Sequence, residues 1–473
     1  MKKRILLFAL CVLTYSNLFS QAYEHEQSKT YIYPTDPLVK QKLDQWQDQK
    51  FGMIIHWGLY TVGGVIESWP LVSEEEDWLK RTPDMTYTEF KKWYWDLSYL
   101  FNPVKFNPDQ WAEAGKMAGM KYVVFTTKHH DGFCLFDTKE TTFSTMNGPF
   151  KDNPKANIAK YVFESFRNQD FMIGAYFSKP DWHSQYYWWD KYATYDRNNN
   201  YDIRKNSERW EMFKSFCYNQ INELTSNFGK IDIVWLDGGQ VSPITPELKA
   251  WFGKSYRGSQ DLDMAKIATM ARKNQPGVLM VDRTVVGPYE NYQTPEQTIP
   301  DKQLTEPWES CITLGNYWSH MPNDTYKSSH WVIHTLTEIV AKGGSLLLGV
   351  GPTSEGVLYE DVIKRLDEIG VWTSKNGEAI YGTRITPHYN SGKTWFTQSK
   401  NAKTIYAITC IEEKSTTPTT IEWEGNIPAK GATMTLLHAN VAVSYKVFNN
   451  KVLVNIPKGL PKNLPALAFR YNN

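Results

Sequence analysis

Cysteine is scarce in this chain, with five among 473 residues and no C-x-x-C pair. That spacing excludes a dense disulfide framework and the usual structural zinc patterns. Charge of one sign is also lacking. Lys and Arg number 52 against 51 Asp and Glu, a formal net charge of +1. No basic excess is present to neutralise phosphates, so nucleic acid is excluded as the main partner. The apolar stretch from Ile5 to Tyr15 is too short for a membrane span, which needs about 20 residues. No glycine-rich phosphate loop follows the strand-like run Phe51–Ile55, which counts against an open doubly wound nucleotide fold.

Aromatic residues, by contrast, are abundant. They make up 15% of the chain, with 19 Trp and 28 Tyr. Aromatic faces stack on the apolar faces of sugar rings, so this usage suits a carbohydrate-active protein, although large barrel cores use aromatics too. Lys2-Lys3-Arg4, the apolar stretch after it, and small residues around Ser16, Ser20 and Ala22 form a secretory signal pattern. Residues 1–21 are therefore expected to be a signal peptide directing the protein to the periplasm. Cys11 lies inside that stretch rather than after a lipobox, so no lipid anchor is expected. Cys134, Cys217, Cys311 and Cys410 are expected to be separate buried thiols.

Five short apolar runs each end in ionisable, polar or aromatic residues. Phe51–Ile55 leads into His56-Trp57-Gly58, and Lys121–Thr127 into Lys128-His129-His130-Asp131-Gly132. Phe171–Ser178 leads into Lys179-Pro180-Asp181, Ile231–Leu236 into Asp237-Gly238-Gly239, and Val278–Val281 into Asp282-Arg283. Helix-length stretches such as Pro108 to Gly119 and Ser207 to Phe228 lie between them. Strands alternating with helices predict a parallel sheet, and polar groups at the same end of every strand predict a barrel with its active site on one face. Asp237 carries the most information, because a carboxylate at the tip of a buried strand costs several kcal/mol unless something compensates it.

Beyond Tyr381 the texture changes to short alternating runs, Thr394–Thr397, Thr404–Thr409, Thr433–Leu437 and Lys451–Ile456, separated by Gly, Asn and Pro. This pattern predicts an antiparallel β-sandwich, for which packing over the barrel is favoured and a carbohydrate-binding role stays open. The expected division is a catalytic (β/α) barrel over 30–384 and a sandwich over 385–473.

Four blocks, His56-Trp57-Gly58, Thr127–Phe133, Trp235-Leu236-Asp237-Gly238 and Gly343–Pro352, resemble the signature of the α-L-fucosidases of glycoside hydrolase family 29. The resemblance covers roughly residues 30 to 385. It implies an irregular (β/α)8-type barrel, followed by a β-sandwich. It also implies retaining, cofactor-free release of terminal L-fucose from fucosylated glycans.

By that resemblance Asp237 is the nucleophile; it must stay ionised, and Arg283 at the tip of the next strand is the candidate positive neighbour. The acid/base falls in the segment after Arg283, where Glu296 in Thr294-Pro295-Glu296-Gln297 fits the bacterial form better than Glu290. Glu309 on the following strand is a third contender. Taken alone, Glu296 after Pro295 also fits the first turn of a helix. His56, His129 and His130 are implied ligands of sugar hydroxyls, with Tyr176 and Trp235 as pocket aromatics. Glu67 stands where the family has a sugar-binding glutamate, although Ser68 here separates it from Trp69. Phe133 or Trp318 is expected to face the fucose methyl group. Two other readings remain open: a sugar-binding protein without catalysis, and a metal-dependent hydrolase built on the His129-His130-Asp131 cluster.

Overall fold

The structure, a computed structural model, describes residues 31–72, 85–194, 196–253 and 256–472. The expected signal peptide and the acidic run at Glu74, Glu75 and Glu76 lie outside these residues. Seven parallel strands form the first sheet: β1 (Phe51–Ile55), β2 (Tyr122–Lys128), β3 (Met172–Ser178), β4 (Ile233–Asp237), β5 (Leu279–Asp282), β6 (Glu309–Thr313) and β7 (Ser345–Val350). Their order is β5-β4-β3-β2-β1-β7-β6, a curled sheet whose edges are β5 and β6. All five strands read from the sequence are present. The stretches from Pro108 and Ser207 form helices Pro108–Met117 and Ser207–Asn227.

β1 to β5 are largely apolar on both faces because each face meets a different partner. Met53, Val123, Val234 and Met280 pack outward against the helices in the main core. Ile54, Val124, Trp235 and Val281, one residue on, point into the barrel lumen and form a second, separate cluster. The alternation is the period of a β-strand. It carries His56 and Asp237 onto the lumen side, two residues beyond Ile54 and Trp235. The helix Pro37–Gln49 contributes Val39, Leu43 and Trp46 to the lumen cluster and so plugs the barrel's lower end. Pro37 opens this helix and the Asp36 side chain caps it, accepting from the Leu38 N–H at 2.8 Å.

Between the sheet edges no regular eighth strand forms. Residues 289–297 instead run through the gap, bridging Val281 of β5 through Glu290 and reaching Trp308 and Cys311 through Gln293 and Glu296. The backbone hydrogen bonds Gln293 N–H to Pro307 O (3.0 Å), Cys311 N–H to Pro295 O (3.1 Å) and Gln297 N–H to Cys311 O (2.9 Å) close the barrel there. The helix turn that Pro295 would have suited is absent. Pro295 needs no N–H at its position, and its carbonyl accepts from the next strand.

The C-terminal strands form an antiparallel six-stranded sheet, from β8 (Thr383–Ser391), β9 (Thr394–Ser399), β10 (Thr404–Cys410), β12 (Met434–Leu436), β13 (Val441–Val443) and β16 (Ala466–Asn472). A three-stranded sheet of β11 (Thr420–Glu424), β14 (Tyr445–Phe448) and β15 (Lys451–Asn455) faces it. Phe396, Trp423, Val452, Val454 and Phe469 fill the space between them. Trp372 of helix Glu360–Asn376 donates to Ala466 O at 2.9 Å, and the His334 ring bonds Pro465 O at 2.7 Å, tying this layer to the barrel helices. Cys134, Cys217 and Cys311 are buried free thiols, and Cys410 is a half-buried one. Among the described residues no helix is long and apolar enough to cross a membrane.

The plug should be a principal source of stability. Trp46 is fully buried and stacks on Tyr292 with centroids 3.9 Å apart and planes 3° from parallel. Trp46→Ala is expected to lower unfolding free energy by about 3–5 kcal/mol, the usual cost of deleting a buried tryptophan. Chemical denaturation measures it. A midpoint unchanged from wild type would show that the lower end of the barrel holds without the plug.

Candidate active site

One cavity opens at the C-terminal ends of the strands, where barrel active sites form. Of the residues named from the sequence, eleven line it: His56, Glu67, Trp69, His129, His130, Tyr176, Trp235, Asp237, Arg283, Glu296 and Trp318. Asp237 ends β4 on the lumen side. Its Oδ1 accepts from the Gly238 N–H (2.8 Å) and from Arg283 Nη1 (2.8 Å), and its Oδ2 from the Tyr176 hydroxyl (2.6 Å). Gly238 is required after it. The backbone there has φ of +90°, and a Cβ would stand 2.3 Å from Pro180 Cδ.

Arg283 follows β5 and its guanidinium is buried. Nη1 holds Asp237, Nη2 donates to Glu296 Oε2 at 2.7 Å, and Nε donates to the Thr294 hydroxyl at 3.1 Å. Burial works against its charge, but Asp237, Cys311 and Glu296 outweigh that and raise its pKa. The guanidinium also lies over the Trp235 ring, 4.3 Å from the centroid. Thr294 and Glu296 meet it together because the gap-filling segment is extended, so residues two apart share a face. Glu296 is thereby placed in the cavity, opposite Asp237 across one guanidinium.

The other two contenders for acid/base are elsewhere. Glu290 accepts from the Thr284 N–H at 3.1 Å and does not line the cavity. Glu309 begins β6 rather than ending it, so it lies fully buried deep in the lumen, where it accepts from Tyr122 and Trp235.

The three histidines are buried and held neutral. Burial pushes His56 down to about 3 and His130 down to about 4, with Asp237 opposing the shift in each, and it pushes His129 well below its usual value. The Nδ1 atoms of His129 and His130 bond the hydroxyls of Ser68 and Ser178, the latter at 2.7 Å. Adjacent histidines on a regular strand would point to opposite faces. Here β2 ends at Lys128 and the chain turns, so both rings share the cavity, with centroids 4.3 Å apart. Asp131, grouped with them in the sequence, points away: it accepts from the Tyr94 hydroxyl (2.7 Å) and the Phe133 N–H (3.0 Å).

Glu67 is buried at a strained φ of +37°. Burial raises its pKa to about 7, although its Oε1 accepts from the Ser319 N–H (2.8 Å) and hydroxyl (2.9 Å). The inserted Ser68 does not displace it or Trp69 from the cavity; Ser68 turns instead to His129. Trp318 packs 5.1 Å from the His56 ring and fits because β7 has Gly349 opposite it, where a Cβ would come within 2.9 Å of the indole. Phe133, the alternative for the apolar wall, is buried behind the site against Phe101 and Phe143.

Arg197, Gln240, Gln297, Asn316 and Tyr317 also line the cavity and were not anticipated. All come from long connections after the strands. Arg197 is the clearest case: its guanidinium lies over the Trp69 ring at 4.8 Å, and its carbonyl accepts from Trp182 Nε1 and the Tyr187 hydroxyl, both at 3.1 Å. The aromatic run Trp182-His183-Ser184-Gln185-Tyr186-Tyr187-Trp188-Trp189 was the available signal.

Among the described residues, His129, His130 and Asp237 bring ligand atoms within 4.8 Å of one another, a donor set that suits a divalent cation by type. The surroundings do not suit one. Asp237 already accepts three hydrogen bonds, and Arg283 and Arg197 both line the cavity, so an entering cation would meet two guanidiniums. Neutral imidazoles that donate to or accept from hydroxyl groups fit a sugar better.

The family model described as alpha-L-fucosidase matches residues 18–378. The plasma alpha-L-fucosidase of Rattus norvegicus is 28% identical over 407 residues, 83% of this chain and 82% of that protein. An alpha-L-fucosidase of Dictyostelium discoideum is 26% identical over 99% of this chain and 98% of its own. Among solved structures, alpha-L-fucosidase isoenzyme 1 from Paenibacillus thiaminolyticus superposes with a TM-score of 0.73 at 28% identity, covering 92% of this chain and 99% of that one.

Keeping imidazoles neutral has a consequence in acid. Unfolded histidine takes up a proton near pH 6.5, whereas folded His56 does so only near 3. Between these values the unfolded state binds more protons, so stability falls as pH drops through that window. In His56→Phe the fall from pH 6.5 to 4 should be smaller by about 1–3 kcal/mol. Melting or denaturant curves at the two pH values measure it. An equal fall in both proteins would mean that His56 is protonated in the native state.

Proposed function

The chain belongs to the α-L-fucosidase family and is a glycoside hydrolase, and on that premise we propose that it releases terminal L-fucose from fucosylated glycans with retention, using Asp237 and Glu296. The observation that carries the assignment is the single guanidinium of Arg283 holding both carboxylates, at 2.8 and 2.7 Å. Sharing one guanidinium favours the short carboxyl separation of retaining enzymes, about 5–5.5 Å, over the roughly 6.5–9.5 Å that leaves room for an attacking water. In the first step Asp237 attacks the anomeric carbon as the glycosidic bond breaks, and Glu296 gives its proton to the departing oxygen. In the second, Glu296 takes a proton from water, whose oxygen displaces Asp237 and frees the sugar.

The neutral His56, His129 and His130, with Glu67 and Trp69, are suited to the ring hydroxyls, and Trp318 to the C5 methyl. The N-terminal signal pattern supports export to the periplasm.

Asp237→Ala should abolish turnover of a chromogenic α-L-fucoside while the protein stays folded. Azide should partly restore cleavage and yield a product of inverted configuration, because a small anion fits where the carboxylate was. Wild-type activity in this variant would remove Asp237 from the mechanism.

Glu296→Ala should slow fucosides with basic leaving groups far more than activated aryl fucosides, since general acid help is worth about 10²–10⁴-fold. Glu290→Ala serves as the comparison. If the leaving-group dependence follows Glu290 instead, the acid/base assignment is wrong even though the fucosidase reading stands.

A further inference from the structure

Glu309 is a carboxyl that neither step uses, and it lies at a costly place. It is fully buried in the lumen at the start of β6, and burial raises its pKa to about 7. Its Oε2 accepts from the Tyr122 hydroxyl at 2.7 Å and its Oε1 from Trp235 Nε1 at 3.1 Å. Burying such a group without gain is disfavoured. An apolar side chain would fill a lumen already lined by Val124, Leu347 and Leu279.

The Trp235 ring connects this carboxyl to the reacting groups. Its face carries the Arg283 guanidinium, 4.3 Å away. It also stacks with Tyr176, centroids 5.3 Å apart and planes 26° from parallel. Arg283 holds Asp237 and Glu296, and the Tyr176 hydroxyl holds the other oxygen of Asp237. An indole can pivot in its plane unless its one polar atom is fixed. Glu309 fixes it.

We propose that Glu309 is a positioning residue for the hydrolysis: its carboxyl anchors the Trp235 indole N–H, and the anchored ring sets the place of Arg283 and Tyr176, hence of both reacting carboxylates. The inference rests on the reading of Asp237 and Glu296 as the reacting pair. Tyr122 makes the second bond that keeps the carboxyl from turning away from Trp235.

The test is kinetic, on a chromogenic α-L-fucoside, with wild type, Glu309→Leu, Glu309→Gln, Trp235→Phe and the double variant Glu309→Leu/Trp235→Phe. Glu309→Leu should lower kcat about 10–100-fold while KM moves less than about threefold, because what is lost is alignment in the transition state. Glu309→Gln should recover most of that loss, since its amide oxygen can still accept the indole N–H. The double variant should be no slower than Trp235→Phe alone, because Glu309 acts through that ring. Both limbs of the pH–rate profile should persist in Glu309→Leu.

Wild-type kcat in Glu309→Leu overturns the proposal, as do losses that multiply in the double variant. A vanished limb would make Glu309 a proton donor or acceptor and overturns it equally. Should Glu309→Leu not fold, Trp235→Phe and Glu309→Gln decide: a silent Trp235→Phe, or a Glu309→Gln as slow as Trp235→Phe, overturns it. Inactive wild type would instead refute the fucosidase reading.

Discussion

The site depends on one ion cluster, the buried guanidinium of Arg283 between Asp237 and Glu296. Two carboxyl groups a few ångströms apart disfavour being charged together, and a retaining glycosidase needs one ionised and one protonated at that spacing. A cation between them lets both sit in one cavity. Lysine would not serve as well, since its single nitrogen lacks the rigid planar fork whose Nη1 and Nη2 reach the two carboxyl groups separately. The cation must in turn be held, and five neighbours do so: the Thr294 hydroxyl, Cys311 Sγ at 3.7 Å, the Trp235 face and the carboxylates of Asp237 and Glu296. They come from β4, β6 and the segment 289–297, so the fold is the condition for the cluster.

The gap between β5 and β6 gives that condition its form. A regular eighth strand would have paired fully with both edges and ended wherever its neighbours end. The segment 289–297 pairs only at isolated points and keeps the extended alternation that faces Tyr292, Thr294 and Glu296 inward. It carries Tyr292 to the plug, Thr294 to the guanidinium and Glu296 to the cavity. Closure of the barrel and placement of the second carboxylate are thus the same structural event.

This also explains what was legible beforehand. β1 to β5 showed as apolar runs because both their faces are buried, and their tips showed as ionisable residues because the cavity is there. Asp237 and Arg283 followed directly. Residues 289–297 looked like a loop with several glutamates, because their pairing is long-range and their alternation is short and broken by Pro295. The motif around Glu296 favoured it over Glu290, but Glu309 is told apart from it only by where each stands along the barrel axis. Glu309 opens its strand and Glu296 does not, and no local pattern carries that difference. His129 and His130 can both face the cavity because the strand ends at Lys128, just before them, and that end is not marked in the local sequence.

The cavity's polarity is arranged by the same economy of charge. Three carboxyl groups and two guanidiniums already face it, from Glu67, Asp237, Glu296, Arg283 and Arg197. Adding charged ligands for sugar hydroxyls would disturb the balance that leaves Asp237 available as a nucleophile. Imidazoles avoid this, provided that they stay neutral, and burial ensures it for His56, His129 and His130. The serine hydroxyls at the Nδ1 atoms of His129 and His130 then leave both Nε2 atoms facing the cavity, His130 Nε2 lying 3.7 Å from Asp237 Oδ2. That distance is too long for a hydrogen bond. Of the two groups it is therefore the Tyr176 hydroxyl that bonds Asp237 Oδ2, while His130 keeps its Nε2 for a hydroxyl of a bound sugar.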